Sequence, residues 1–153
     1  MTWDEGKATV ERLLGTGELQ RVTADLEMAT ELLARARRHL TSAKTIRDTD
    51  AEGAYATLYD AARTACAALL QAQGLRATTR GGHIAIREAV VAQFASLTGG
   101  MPLRSFDRLR RRRHEVEYGP SAIVDQDEVD EALTRAEEIV SFAERLAEQL
   151  PVF

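Results

Sequence analysis

The sequence predicts a single all-α domain, an up-and-down bundle of about five main helices preceded by a short N-terminal helix, on three observations. Ala, Leu, Arg and Glu lose little rotamer freedom in a helix and are abundant, while aromatic residues make up only 5% of the chain. Apolar residues recur at alternating three and four residues through several long stretches, and strand signals are nearly absent. The three prolines fall at the edges of those stretches, where they break no helix. With 153 residues, 44% of them hydrophobic, one domain can bury a sufficient core without staples or a cofactor. It is read as spanning 1–153, with a helical arm over 1–17 and a core bundle over 23–150.

The first helix opens at Thr2, which has capping-box spacing to Glu5. It carries Trp3, Val10, Leu13 and Leu14 and stops at Gly15-Thr16-Gly17, where a hinge would suit a docking arm. A second helix is expected from Thr23, with Leu26, Ala29, Leu33, Ala36, Leu40 and Ala43 forming a narrow seam for one packing partner. After the turn Asp48-Thr49-Asp50, a third helix carries Ala51, Ala54, Tyr55, Leu58, Ala62, Ala65, Leu69 and Ala72 and closes at Gly74 in a C′ position. Tyr55 and Tyr59 read as core residues with a polar tip.

Leu75 to Gly82 shows no apolar periodicity after Leu75 and reads as a mobile loop. A fourth helix, roughly His83 to Leu97, buries Ile86, Val90, Phe94 and Leu97. Thr98-Gly99-Gly100-Met101 breaks the chain. Pro102, which has no amide hydrogen to leave unpaired, suits the first position of a fifth helix. That helix places Leu103, Phe106, Leu109, Arg113 and Val116 on one side and ends at Gly119-Pro120. Asp125 and Glu128 cap a last helix, whose buried stripe runs through Val129, Leu133, Ala136, Ile139 or Val140, Ala143, Leu146 and Leu150.

The lone Cys66 sits in an apolar run, so no internal disulfide can form and a reducing compartment is expected. The acids near the start of the chain do not suit a signal peptide, and no uncharged stretch is long enough for a bilayer. A cytoplasmic protein without membrane contact is the expectation. His39, His83 and His114 are far apart and no CxxC pair exists, so no metal site is predicted. Gly81-Gly82-His83 lacks the lysine and preceding strand of a phosphate loop.

A net charge of −4 excludes a wholesale nucleic-acid coat, but the charge is unevenly spread. Six arginines (104, 108, 110, 111, 112 and 113) stand against the single acid Asp107 between positions 104 and 113. Four of them are consecutive. Like charges so arranged repel, and a purely structural helix is expected to intersperse acids, so an anionic partner such as RNA, a nucleotide or an acidic protein is suggested. On a helix, Arg113 and Glu117 lie one turn apart, as do His114 and Tyr118. Guanidinium forks bind phosphate oxygens, and a neighbouring carboxylate or imidazole can take a proton from a ribose 2′-hydroxyl. The competing reading is an ordinary Arg113–Glu117 helix ion pair on a solvated face.

The sequence resembles the HEPN family of small helical-bundle proteins. The resemblance is carried by Tyr55-Ala56-Thr57-Leu58-Tyr59-Asp60-Ala61-Ala62-Arg63, by Gly81-Gly82-His83, and by Arg112-Arg113-His114-Glu115-Val116-Glu117-Tyr118-Gly119. It implies a metal-independent, toxin-type endoribonuclease that acts as a homodimer, with a nucleotidyltransferase-type antitoxin as partner. The other implied role is a non-catalytic module or dimerising scaffold that binds RNA, a nucleotide or a protein. No cofactor is implied. Arg113 matches the motif arginine and His114 the polar residue after it, so Arg113, His114, Glu117 and Tyr118 are the catalytic candidates. Arg108, Arg110, Arg111 and Arg112 are the anion-binding ones. The histidine that the family places four to six intervening residues after the arginine is missing, since Tyr118, Gly119 and Pro120 occupy its place. Glu117 then becomes a candidate base and His114 a candidate acid. An alternative register pairs Arg108 with His114. The seam from Leu26 to Ala43 is a candidate dimer face.

Overall fold

The computed structural model describes residues 4–119 and 123–153, so the expected roles of Thr2, Trp3 and Pro120 lie outside the described residues. Six α-helices and a small two-stranded ribbon are described: α1 (Lys7–Gly15), β1 (Leu19–Arg21), α2 (Leu26–Ile46), α3 (Ala51–Ala72), β2 (Leu75–Ala77), α4 (Gly82–Phe94), α5 (Phe106–Tyr118) and α6 (Gln126–Leu146). The predicted all-α bundle with a short first helix is the observed fold. No helix among the described residues is long and apolar enough to cross a membrane.

α3 is the centre, packing against α2, α4, α5 and α6. The sequence suggested one apolar stripe on it. In fact Ala61, Thr64, Ala68, Leu70 and Gln71 are buried as well, so α3 is enclosed on nearly all sides. Its alanines let neighbouring helices approach closely, and Cys66 is buried there as a small apolar residue. Burial pushes the Cys66 thiol up to about 12, so it holds its proton.

α2 begins at Leu26 rather than Thr23. The Asp25 carboxylate accepts from the Met28 amide at 2.9 Å and caps it. Residues before it are otherwise engaged: the Val22 amide donates to the Gly74 carbonyl, and the Gln71 amide side chain donates to the Thr23 carbonyl. The seam Ala29, Leu33, Ala36, Leu40 and Ala43 is buried within the chain, and α2 packs on α3 and α6. The partner that the seam called for is therefore intramolecular. Three ion pairs set the direction of α6 on α2: Arg37–Glu144 (2.5 Å), Lys44–Glu137 (2.8 Å) and Arg47–Asp130 (2.5 Å). Partner numbers fall as α2 numbers rise, so the two helices are antiparallel. Each exposed pair contributes little stability.

The expected loop over 75–82 is ordered structure. β1 and β2 pair antiparallel, Leu19 opposite Ala77 and Arg21 opposite Leu75. Leu19 and Leu75 are buried, and the Thr78 hydroxyl donates to the Gly17 carbonyl at 2.6 Å. With three residues per strand, no alternating pattern is long enough to be seen in sequence. α1 is no loose arm either, because Val10 and Leu13 are fully buried, α1 packs on α4, and Arg12 pairs with Glu88.

α4 ends at Phe94, three residues before the expected Leu97, because the Leu97 amide turns back to the Phe94 carbonyl. Pro102 is the second residue of a 3-10 turn over Met101–Ser105, not the first of α5, which follows as a regular helix only from Phe106. Leu103, Phe106 and Leu109 anchor this segment in the core. α6 is capped as expected, Asp125 accepting from the Glu128 amide at 2.8 Å. A 3-10 turn over Ala147–Gln149 closes it.

Candidate functional site

The arginines of α5 divide between two sides of the helix. Arg108, Arg111 and Arg112 line a cavity of about 280 Å³ that faces α6, together with Tyr55, Glu115, Glu128, Glu131 and Arg135. Arg110, Arg113 and His114 line a second cavity of about 280 Å³ with Tyr59, Gly81, Gly82, His83 and Ile84. The alternative register therefore does not assemble, since Arg108 turns to Glu131 (3.3 Å) while His114 opens to the other side.

Acids absent from the arginine run arrive from elsewhere. Asp107 meets both Arg110 and Arg111 at 3.0 Å, and Arg113 meets Glu117 at 2.5 Å. Arg112 donates to both carboxylate oxygens of Glu128 (2.5 and 3.2 Å), to Glu115 (3.2 Å) and to the Ile123 carbonyl (2.9 Å). The run is thus compensated within the chain, by Asp107, Glu115 and Glu117 of α5 itself and by Glu128 and Glu131 of α6, and its mutual repulsion no longer calls for an external anion. Burial acts to raise the Asp107 carboxyl, but the hydrogen bond from Arg110 and the charges of Arg87, Arg110 and Arg111 outweigh it and hold it below the ordinary value. Arg112 is a structural clamp between α5 and α6. Arg112→Ala is expected to lower stability by about 1 kcal/mol in urea denaturation, with phosphate affinity unchanged.

The cavity on the other side differs in charge. Two arginines, two imidazoles and the start of α4 line it and, among the described residues, no carboxylate does, although Asp107 and Glu117 pair with those two arginines. The positive end of the α4 dipole lies there, on a helix start with no side-chain cap. The glycines permit this. At Gly81 a Cβ would lie 2.1 Å from the Glu18 carbonyl oxygen, so only glycine passes the ribbon this closely. Gly82 has φ +51°, in the left-handed region. Together they swing His83 onto the polar tip of Tyr59, which is the core residue that the sequence predicts.

Tyr59 is fully buried, and its hydroxyl lies 2.7 Å from His83 Nδ1. Its ring is 5.6 Å from that of Phe106, and the Arg113 guanidinium carbon is 5.7 Å from its centre. Burial pushes the Tyr59 phenol up to about 12, against the opposing charges of Arg63, Arg110 and Arg113. Burial also lowers His83, helped by Arg63, Arg113 and Arg110 and opposed by Asp60. Its folded value therefore lies below the ordinary 6.5. Unfolding takes up a proton in the window just beneath that value, so stability falls as pH drops through it. Denaturation midpoints compared at pH 7 and pH 5 are expected to fall less in His83→Gln than in the wild type.

Of the four expected catalytic residues, the cavity receives Arg113 and His114. Glu117 grips Arg113 Nη1 at 2.5 Å, and the Arg113 Nε is buried without a hydrogen-bond partner among the described residues. The Tyr118 ring stands 4.8 Å from that of His114, is 67% exposed and does not line the cavity. Of the expected anion-binding arginines, only Arg110 reaches this side. His83 and Tyr59 are the additions, and Gly-Gly before a histidine was the one local sign of them. No group of three or more metal-ligating side chains suited to a metal ion occurs among the described residues.

Against known protein families, the model described as the HEPN domain matches residues 29–146, more than three quarters of the chain. Comparisons with curated proteins and with solved structures find no match.

Proposed function

The chain belongs to the HEPN domain family, and from that premise we propose that it is a metal-independent endoribonuclease whose substrate phosphate occupies the cavity between α4 and α5. At the coarser level the domain is an RNA-related or nucleotide-related module. One observation carries the finer reading: guanidinium groups, imidazoles and a helix N-terminus converge on one cavity, with the Glu117 carboxylate attached to it through Arg113.

In this reading Arg113 and Arg110 hold the non-bridging oxygens of the scissile phosphate. Glu117 takes the proton of the ribose 2′-hydroxyl as the 2′-oxygen bonds to phosphorus. The bond to the 5′-oxygen breaks, and His114 supplies that oxygen with a proton. The products are a 2′,3′-cyclic phosphate and a 5′-hydroxyl. Purified protein incubated with single-stranded RNA in EDTA is expected to yield those ends. RNA that stays intact at high protein concentration overturns the nuclease reading.

A second reading has an observation of its own. Glu117 already holds Arg113, and Asp107 already holds Arg110, which suits a cavity that binds a phosphate without turning it over. Salt-sensitive RNA binding without cleavage distinguishes it. Pairing with a second copy of the chain and with a nucleotidyltransferase-type antitoxin belongs to the toxin form of the first reading. A nucleotidyltransferase gene beside its own would support that form.

A further inference from the structure

We propose that Tyr59 is a positioning residue that fixes His83 as a neutral imidazole with its proton on Nε2, making His83 a hydrogen-bond donor to a phosphate in the cavity and not a base. The donor role rests on the phosphate-binding reading above; the tautomer does not.

Tyr59 is fully buried, and His83 Nδ1, at 2.7 Å, is the only hydrogen-bond partner of its hydroxyl among the described residues. The hydroxyl has one hydrogen. If Nδ1 carried the imidazole proton, it would donate to the phenol oxygen, and the hydroxyl hydrogen would be left buried with no acceptor. Buried polar groups avoid that arrangement. With Tyr59 donating instead, the Nδ1 lone pair is filled and a neutral ring must carry its proton on Nε2. A doubly protonated ring would again turn Nδ1 into a donor, and burial with Arg63, Arg113 and Arg110 outweighs Asp60 in opposing its positive charge.

Geometry then places the proton. Nδ1 faces Tyr59, so Nε2 lies on the other side of the ring. His83 lines the cavity, and Nε2 has no protein partner among the described residues. It is an unused donor beside Arg110 and Arg113, at the uncapped start of α4. A neutral donor adds affinity for a phosphate oxygen without repelling the arginines. The same tautomer removes His83 from competition as the base, leaving the acid and base roles to His114 and Glu117.

Nitrogen-15 imidazole spectra at neutral pH, with His83 assigned by its loss in His83→Gln, read the tautomer directly. An Nε2–H, Nδ1-acceptor pattern is expected; a proton on Nδ1, or on both nitrogens, overturns the proposal. In Tyr59→Phe the two tautomers are expected to mix, and an unchanged pattern removes Tyr59 from its positioning role. Titration with inorganic phosphate tests the donor. His83→Ala is expected to weaken binding about tenfold, while His83→Gln, whose amide can donate, recovers most of it. Equal losses in the two variants overturn the donor role. If the wild type binds neither phosphate nor RNA, the functional reading fails and takes the donor role with it. The tautomer spectrum then decides the Tyr59–His83 relation on its own.

Discussion

Arg113→Ala is expected to slow RNA cleavage by about a hundredfold to a thousandfold while the protein stays folded. Arg113 joins the parts of the site: it lines the cavity, stands over the Tyr59 ring at 5.7 Å and carries Glu117 at 2.5 Å. Removing it takes away the guanidinium that meets the phosphate and frees Glu117 from its orientation. The cost to folding should be small, because its Nε is buried without a hydrogen-bond partner and its ion pair is a partly exposed helix pair. Arg113→Lys is not expected to restore activity, since an ammonium cannot contact phosphate and Glu117 in one planar fork. Single-turnover cleavage alongside thermal denaturation checks both halves. A fold-competent Arg113→Ala protein that cleaves at the wild-type rate excludes Arg113 from the site. The adjacent Arg112→Ala provides the contrast, lowering stability and sparing phosphate binding.

Phe106→Ala is expected to give the largest loss of stability, about 3–5 kcal/mol, from lost transfer energy and the cavity left behind. Phe106 is fully buried, begins α5, and packs its ring 5.6 Å from Tyr59. The truncation removes support from the residue that holds His83, so phosphate affinity should fall as well, even where the protein remains folded. Phe106→Leu, which keeps most of the volume, is expected to cost about 1 kcal/mol. Urea denaturation gives the stability change. A loss below about 1 kcal/mol for Phe106→Ala means that Phe106 does not anchor α5.

Much of the fold was legible because helical periodicity and caps are local. The α2 seam, the Asp125 cap of α6 and the Gly74 closure of α3 each depend on residues within a few positions of one another. α3 was less legible, since a helix enclosed on nearly all sides has no polar face to set the phase of its stripe. The ribbon was not, because each strand has three residues and its stability comes from a partner far along the chain.

The candidate site divides in the same way. The residue types, the cluster from Arg110 to Tyr118 and the one-turn pairing of Arg113 with Glu117 followed from sequence, because 100° per residue fixes which neighbours on a helix meet. Which arginine is structural and which is available did not. Arg112 is claimed by Glu128 sixteen residues on, and His83 is brought to Tyr59 across twenty-four by a ribbon and two glycines. Sequence by itself determined the all-helical class, the family resemblance and the basic helix. Only the tertiary structure decided that Arg108, Arg111 and Arg112 face a cavity lined also by Glu115, Glu128 and Glu131 while Arg110 and Arg113 face one beside His83, because helix packing sets which distant groups share a surface.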